Sequence, residues 1–168
     1  MIIAFRGKPG VGKSTIAQAL AKSLQAPIIG KDDINDIVFA QYGANKQASE
    51  LSYELIFYML RVLKPLHQTI VVDCSLAVRA GYDRFASIAD ELHTELVVVT
   101  VEVEDVDEIE RRLNLRSDLP DHRVKTMGDI QKQGLSYEDY DVAHDVRVVG
   151  TQPLDALVAA IQHQLPRD

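Results

Sequence analysis

Residues 7–15 read GKPGVGKST, and they lie between the apolar run at residues 2–5 and the helix-prone segment at residues 16–21. Glycines have no Cβ, so successive backbone N–H groups can converge on one anion, as the oxygens of a triphosphate require. A helix that starts at such a loop points the positive end of its dipole at the anion. The order of strand, loop and helix therefore predicts a phosphate-binding loop that holds a nucleoside triphosphate.

Two side chains of this loop are expected to act beyond its backbone. Lys13 would place an ammonium on the β and γ phosphates, and Ser14 would offer its hydroxyl to Mg²⁺. The predicted nucleotide-binding residues are Gly7, Lys8, Pro9, Gly10, Val11, Gly12, Lys13, Ser14 and Thr15. A nucleoside triphosphate with Mg²⁺ is thus the expected cofactor pair.

The size and composition of the chain predict one α/β domain over residues 1–168, since a second full domain would not fit. No apolar stretch approaches the roughly 18 to 20 residues that span a bilayer. The first predicted strand begins at Ile2, which leaves no room for a signal peptide. A cytoplasmic protein, monomeric or homodimeric, is the expectation.

Cysteine content and charge narrow the function classes. Cys74 is the only cysteine, so an intramolecular disulfide and a cysteine-cluster metal site are excluded, and the metal must be hard and oxygen-ligated. The net charge of −7 opposes a large nucleic-acid surface, which usually carries clustered Lys and Arg. A small molecule is therefore the expected partner.

Apolar runs alternate with helical periodicity, which predicts a three-layer α/β fold with a five-stranded parallel sheet. The predicted strands are 2–5, 27–29, 69–72, 96–101 and 146–149. The predicted helices are 13–24, 33–41, 47–63, 81–92, 106–113, 124–134 and 154–164. The polar, basic segment 114–127 is predicted to be a short lid.

The helix predicted at residues 47–63 is expected to pack through an apolar stripe. Leu51, Leu55, Met59 and Leu63 follow one another at steps of four, with Ile56 and Leu60 alongside. Three aromatic residues, Tyr53, Phe57 and Tyr58, lie toward other faces. Simple packing and a place in a substrate pocket both remain open for them.

Acidic residues follow two of the predicted strands, at the sheet edge where open α/β sheets bind ligands. Asp73 ends the third strand and is expected to hold Mg²⁺ through its waters or to touch the acceptor; the alternative is that it only caps the following turn. Asp32 and Asp33 follow the second strand, where a carboxylate would orient an acceptor hydroxyl and take its proton. The alternative is that the pair only caps a helix. Both descriptions hold if one aspartate caps and the other is catalytic.

Arginines near the predicted lid complete the candidate site. Arg112 and Arg116 are four residues apart, so on a helix they project from one face. Arginines that close over a phosphoryl group would neutralise its charge in the transition state and exclude water. Arg112 and Arg116 are predicted to be catalytic with Lys13 and Asp32, and Arg123 is a weaker candidate.

Four segments together resemble small P-loop kinases, namely GKPGVGKST, GKDDI, VVDCSL and ERRLNLR. This group includes the kinase domain of phage polynucleotide kinase, zeta-toxin-like kinases and antibiotic phosphotransferases, and more distantly shikimate and gluconate kinases. The resemblance implies a P-loop NTPase fold and ATP as the phosphoryl donor. It also implies that Asp32 activates the acceptor, that Asp73 closes the third strand, and that Arg112 with Arg116 forms the lid pair.

The leading hypothesis is a Mg²⁺-dependent ATP phosphotransferase acting on a hydroxyl of a small molecule. Polynucleotide kinases carry an arginine where this chain has Asn35, and Cys74 stands where Thr or Ser is frequent. The alternatives are a nucleotide kinase, a polynucleotide 5′-hydroxyl kinase and a non-kinase regulatory module. A nucleotide kinase would need arginines for an acceptor phosphate, and only Arg61, Arg79 and Arg84 lie between the loop and the lid. A GTPase switch would need an N-K-x-D motif, which residues 45–48 lack.

Overall fold

The computed structural model describes residues 1–115 and 137–166. Its strands are β1 (Ile2–Arg6), β2 (Ile28–Gly30), β3 (Ile70–Asp73), β4 (Leu96–Glu102) and β5 (Asp145–Val149). Its helices are α1 (Lys13–Leu24), α2 (Lys31–Tyr42), α3 (Lys46–Leu63), α4 (Arg79–Glu91), α5 (Val106–Asn114) and α6 (Leu154–Gln164), and a 3₁₀ turn at Lys64–Leu66 follows α3.

The five strands form one parallel sheet in the order β2-β3-β1-β4-β5. All five residues of the central strand β1 are buried, because helices cover both faces of the sheet. Side chains alternate along the strand, so Ile3 and Phe5 enter one core and Ile2 and Ala4 enter the other. This architecture confirms the predicted α/β fold with a five-stranded parallel sheet.

The strand order determines which loops meet at the carboxyl edge of the sheet. β1 leads into the phosphate loop, and β3, which ends at Asp73, is its immediate neighbour. Gly30 at the end of β2 pairs in register with Asp73. The phosphate loop, Asp73 and the start of α2 therefore lie side by side.

Most element boundaries agree with prediction to within a residue, with two exceptions in α2 and α4. α2 begins at Lys31 and not at residue 33, and α4 begins at Arg79 and not at residue 81. The predicted helix at 124–134 and residues 116–127 of the predicted lid lie outside the described residues.

The prediction for the apolar stripe of α3 was partly wrong. Leu51 and Leu55 are 39% and 38% exposed, whereas Ser52 and Ile56 are fully buried. Ser52 is tolerated in the core because its hydroxyl donates a hydrogen bond to the Ala48 carbonyl at 3.1 Å. The buried face is rotated by one residue from the leucine repeat, which a count of apolar residues alone does not reveal.

None of the helices within residues 1–115 and 137–166 combines the length and apolar character needed to cross a membrane.

Candidate functional site

The phosphate loop joins β1 to α1 through three glycines with positive φ. The φ angles of Gly7, Gly10 and Gly12 are 144°, 85° and 100°. A Cβ on Gly7 would stand 2.5 Å from the Val101 carbonyl oxygen. Backbone atoms cannot yield to such a clash, so the loop depends on glycine at this position.

Lys13 and Ser14 begin α1, directly after the loop. The Lys13 ammonium donates a hydrogen bond to the Lys8 carbonyl at 2.9 Å, so its side chain folds back along the loop. The Ser14 hydroxyl lies close enough to the carboxyl group of Asp73, across the edge of the sheet, to lower its pKa as a hydrogen-bond donor. The start of α1 and the end of β3 are thus neighbours.

The surroundings of Asp73 shift the pKa of its carboxyl in both directions, with a net increase. Burial raises the pKa of its carboxyl above the usual range; the hydrogen bond from Ser14 and the charge of Lys13 lower it, and the charges of Asp32 and Asp33 raise it. Three carboxylates therefore lie within electrostatic reach of one another at the carboxyl edge.

The two aspartates of α2 lie in different surroundings. A Cβ on Gly30 would meet the Asp33 carboxylate oxygen at 2.1 Å, so the Asp33 side chain folds back over the start of its own helix. Asp32 is exposed, and no hydrogen bond or ion pair to its carboxylate occurs within residues 1–115 and 137–166. Asp32 thus remains available to a ligand.

The oxygen atoms at this edge suit a hard cation. A serine hydroxyl beside a carboxylate is a donor set that Mg²⁺ accepts, with water and phosphate oxygens completing its octahedron. In the described part of the chain, this edge included, no three or more His, Cys, Asp or Glu side chains are grouped to hold a metal ion, so a cation here would need oxygen atoms from Ser14, water and phosphate as well. Ser14 and Asp73 therefore fit the predicted metal, whose binding remains a prediction.

Arg112 lies behind the loop and is held on three sides. Its Nε donates to Glu108 at 2.6 Å, and its two terminal nitrogens donate to the carbonyl oxygens of Val11 at 3.1 Å and Gly150 at 2.9 Å. Hydrogen bonds from Arg111 and Arg112 lower the pKa of Glu108 to about 2. Arg116 and Arg123 lie outside the described residues, so their predicted roles remain predictions.

A cavity of about 350 Å³ opens beside the loop, next to Arg112. Apolar side chains of α1 and α6 form much of its wall. Its lining consists of Gly12, Thr15, Ile16, Arg112, Leu115, Gly150, Gln152, Leu154 and Leu157. An apolar cleft that contains a few polar groups is the usual form of a site for a small molecule or a cofactor.

On the other side of Asp32, a cation–π cluster connects α2, α3 and α4. The Lys31 ammonium is 4.6 Å from the centroid of the Tyr53 ring, and the Arg84 guanidinium is 5.3 Å from the same ring. Burial raises the pKa of Tyr53, and the charge of Asp32 is among the smaller contributions in the same direction. Of the three aromatic residues singled out in α3, Tyr53 therefore lies near Asp32, whereas Phe57 is in the core and Tyr58 is 64% exposed.

Sequence reasoning missed several residues that border the site. Gly150 carries no motif, yet a Cβ there would stand 2.4 Å from the Val11 carbonyl oxygen. The hydroxyl groups of Ser75 and Tyr137 lie 3.4 Å apart, although 62 residues separate them. A glycine directly after the last predicted strand was a usable signal for Gly150, whereas no local pattern indicates the other two.

The sequence was then compared with known families and proteins. The model of the family AAA_33, described as an AAA domain, matches residues 2–134. No curated protein matches the chain.

Solved structures with a similar fold include several kinases. A gluconokinase from Sinorhizobium meliloti 1021 is 22% identical with a TM-score of 0.70, and the match covers 96% of this chain and 89% of that one. The Mycobacterium tuberculosis APS kinase CysC in complex with AMPPNP and APS is 12% identical with a TM-score of 0.71, covering 97% and 95%. A sugar kinase from Janibacter sp. HTCC2649 is 15% identical with a TM-score of 0.70, covering 97% and 92%. These likenesses show that the chain has the fold of P-loop kinases.

Proposed function

This chain belongs to the AAA_33 family of AAA domains, and we propose that it is an ATP-dependent kinase that transfers the γ-phosphoryl group to a hydroxyl of a small molecule. The observation that carries the proposal is the position of Asp32. Its carboxylate is exposed at the start of α2, and its charge raises the pKa of Asp73, whose carboxyl also responds to Ser14 and Lys13 at the phosphate loop. A candidate base and a candidate triphosphate site therefore share one edge of the sheet.

The chemistry needs little beyond positioning and charge. Asp32 accepts the proton of the acceptor hydroxyl as the oxygen attacks the γ-phosphorus, and the bond to the β-phosphate oxygen breaks to release ADP. Lys13 and the loop amides stabilise the charge on the phosphates. Mg²⁺, held by Ser14 and Asp73, would supply further neutralisation of that charge. Arg116 is proposed to contribute from the lid.

We assign the cavity beside the loop to the base of the nucleotide. The cavity adjoins Gly12 and Thr15, so a ligand whose phosphates enter the loop reaches it directly. The edge of the Arg112 guanidinium is occupied by Glu108 and two carbonyl groups, which leaves its flat face for stacking on an aromatic base. In this proposal Arg112 serves the nucleotide, and a contact with the migrating phosphoryl group remains an untested prediction.

The similar structures agree with a small acceptor. The gluconokinase and the sugar kinase are named for sugar-type substrates, and the APS kinase structure contains a nucleotide analogue together with APS. We infer a small hydroxyl compound from this agreement, because such acceptors fit a crevice at the edge of the sheet.

The ion pairs of the arginines argue against a nucleotide kinase. Such an enzyme would need free guanidinium groups for an acceptor phosphate. Arg61 pairs with Glu91 at 2.7 Å, and Arg79 pairs with Asp83 at 2.6 Å. Arg84 is shared between two glutamates of α3. Each of these arginines already faces a carboxylate, so an uncharged hydroxyl is the better acceptor.

A screen for ADP release would test the proposal. Purified protein is mixed with ATP, Mg²⁺ and one compound at a time from a panel of gluconate, ribitol, glucosamine, adenosine and AMP. We expect slow hydrolysis with water alone and a sharp increase with at least one hydroxyl compound. Phosphorylation of AMP alone, or equal rates with and without every acceptor, would reject the hydroxyl-kinase function.

A further inference from the structure

Residues 137–143 cross the carboxyl ends of β1 and β3, and we call this segment the strap. The backbone N–H of Glu138 donates to the Ala77 carbonyl at 2.8 Å. The hydroxyl of Tyr140 donates to the Leu76 carbonyl at 2.6 Å. Both contacts fix the strap to the segment directly after β3. The function proposed above uses none of these residues.

Arg6 holds the strap from the other side. It is the last residue of β1 and is only 8% exposed. Its guanidinium donates to the carbonyl oxygens of Glu138 at 2.7 Å and Tyr140 at 3.3 Å, and it lies 4.0 Å from the centroid of the Tyr140 ring. A buried guanidinium is costly unless it is hydrogen bonded, so these contacts define where the strap can lie. Because Gly7 follows Arg6, the strap is anchored directly at the phosphate loop.

The strap brings the hydroxyl of Tyr137 to the acceptor side of the site. That hydroxyl is 3.4 Å from the Ser75 hydroxyl, which donates to the Gly7 carbonyl, also at 3.4 Å. Both distances are at the long end of the hydrogen-bond range, so a ligand could replace the contacts at little cost. Burial raises the pKa of Tyr137, as does the charge of Asp32, whereas the hydrogen bond with Ser75 lowers it. A phenol is protonated at neutral pH in any case, so the Tyr137 hydroxyl is able to donate.

We propose that the hydroxyl groups of Tyr137 and Ser75 form a subsite for a second oxygen atom of the acceptor, next to the hydroxyl that meets Asp32. Arg6 and Tyr140 are positioning residues, because they hold the strap and do not touch the acceptor. The subsite selects an oxygen-rich compound such as a polyol or a sugar derivative over a simple alcohol. The inference rests on the proposed function and adds the class of acceptor to it.

The first test uses the compound that the panel identifies as the best acceptor. We expect Tyr137→Phe and Ser75→Ala each to raise the KM for that compound about tenfold and to leave the KM for ATP within about twofold, since one hydrogen bond to the acceptor is lost. Tyr58→Phe is the matched control, because Tyr58 is exposed on α3. It should change neither constant.

The second test addresses the positioning residues. Lysine cannot reproduce the two-nitrogen contact of Arg6, so Arg6→Lys should raise the acceptor KM severalfold with little change in the KM for ATP. In the Tyr137→Phe background the same substitution should add little, because the two residues act on one contact. Tyr140→Phe, which removes only the hydrogen bond to Leu76, gives a second route if Arg6→Lys does not fold.

The outcomes separate this inference from the function it rests on. Turnover of a panel compound with an unchanged acceptor KM in Tyr137→Phe and Ser75→Ala would overturn the subsite alone. An equal rise in the KM for ATP would also overturn it, since the residues would then only support the loop. If no panel compound is turned over and none binds the protein loaded with Mg²⁺ and AMPPNP, both the function and the subsite are rejected.

Discussion

The nucleotide side and the acceptor side of this site are built from different kinds of atoms. On the proposed nucleotide side, three glycines of the loop have positive φ, and Arg112 joins the loop to Gly150, directly after β5, through two carbonyl oxygens. On the proposed acceptor side, the polar groups are side chains of Asp32, Ser75 and Tyr137, which come from three separate segments of the chain.

This contrast shows where the specificity of such a fold is set. A backbone cradle binds any triphosphate, because all of them present the same oxygen atoms. Side chains at the ends of helices and on a strap can be exchanged without disturbing the sheet. Under the proposed function, the nucleotide side would thus fix the type of reaction, and the acceptor side would fix the compound that receives the phosphoryl group.

The largest expected effect separates the two aspartates of α2. Asp32→Asn should lower kcat about 100- to 1,000-fold, because the acceptor hydroxyl loses the group that takes its proton. The affinity of this variant for Mg²⁺ and AMPPNP should stay within about twofold of that of the unmodified protein, since Asp32 is proposed to belong to the acceptor side. Steady-state kinetics and calorimetry measure the two quantities.

Asp33→Asn is the matched comparison for that experiment. The Asp33 carboxylate lies over Gly30, so we expect a loss in kcat of less than about fivefold. If Asp33→Asn proved as damaging as Asp32→Asn, the assignment of the acceptor carboxylate would be wrong.

A second experiment tests how firmly the nucleotide side is fixed. Gly7→Ala should lower the free energy of unfolding by at least about 2 kcal/mol, because the new methyl would meet the Val101 carbonyl. At Gly43, φ is 74° and ψ is 159°, a backbone conformation that favours glycine, but the position of a Cβ is open, so Gly43→Ala should cost about 1 to 3 kcal/mol and less than Gly7→Ala, which adds a clash to a similar penalty. Urea unfolding measures both. Equal losses of unfolding free energy would show that the close approach of the loop to β4 does not add to the cost of a side chain at Gly7.

Arg112 offers a finer test of the base cavity. Arg112→Lys should weaken binding of Mg²⁺ and AMPPNP about tenfold, because lysine lacks the flat face and the fixed donors. Arg111→Lys is the control, since Arg111 pairs with the same Glu108 but is exposed. Calorimetric affinities that are equal for the two variants would remove Arg112 from the nucleotide side.

The smallest effect concerns the stability of the ligand-free protein. Because the pKa of Asp73 is raised in the folded state, its ionised form destabilises the fold at neutral pH, and the penalty disappears as the pH falls to the unfolded value of about 3.9. Asp73→Asn should therefore raise Tm at neutral pH, because it removes a charge from a site that disfavours the ionised carboxyl. The gain should shrink in acid, while kinase activity is lost at every pH. A lower Tm at neutral pH would contradict this electrostatic description.

The same division explains what could be predicted from the sequence. The loop, the parallel sheet and the placement of Asp32 and Asp73 follow from local patterns, because periodicity and glycine spacing act over neighbouring residues. The contact between Ser75 and Tyr137 could not be predicted, since it depends on how the strap crosses β3. The prediction of the buried face of α3 was wrong by one residue. Ser52 is buried there with its hydroxyl hydrogen bonded, whereas the spacing of apolar residues had placed Leu51 in the core.

The central claim is that the loop binds a magnesium-bound triphosphate and that the Lys13 ammonium contacts its phosphates. Calorimetric titration of Mg²⁺ and AMPPNP into the unmodified protein and into Lys13→Met tests it most directly, with Lys22→Met on the exposed side of the same helix as the control. We expect binding to the unmodified protein and to Lys22→Met with similar affinity, and a loss of about 100-fold in Lys13→Met. Absence of binding to the unmodified protein, or equal binding to all three, would contradict the account.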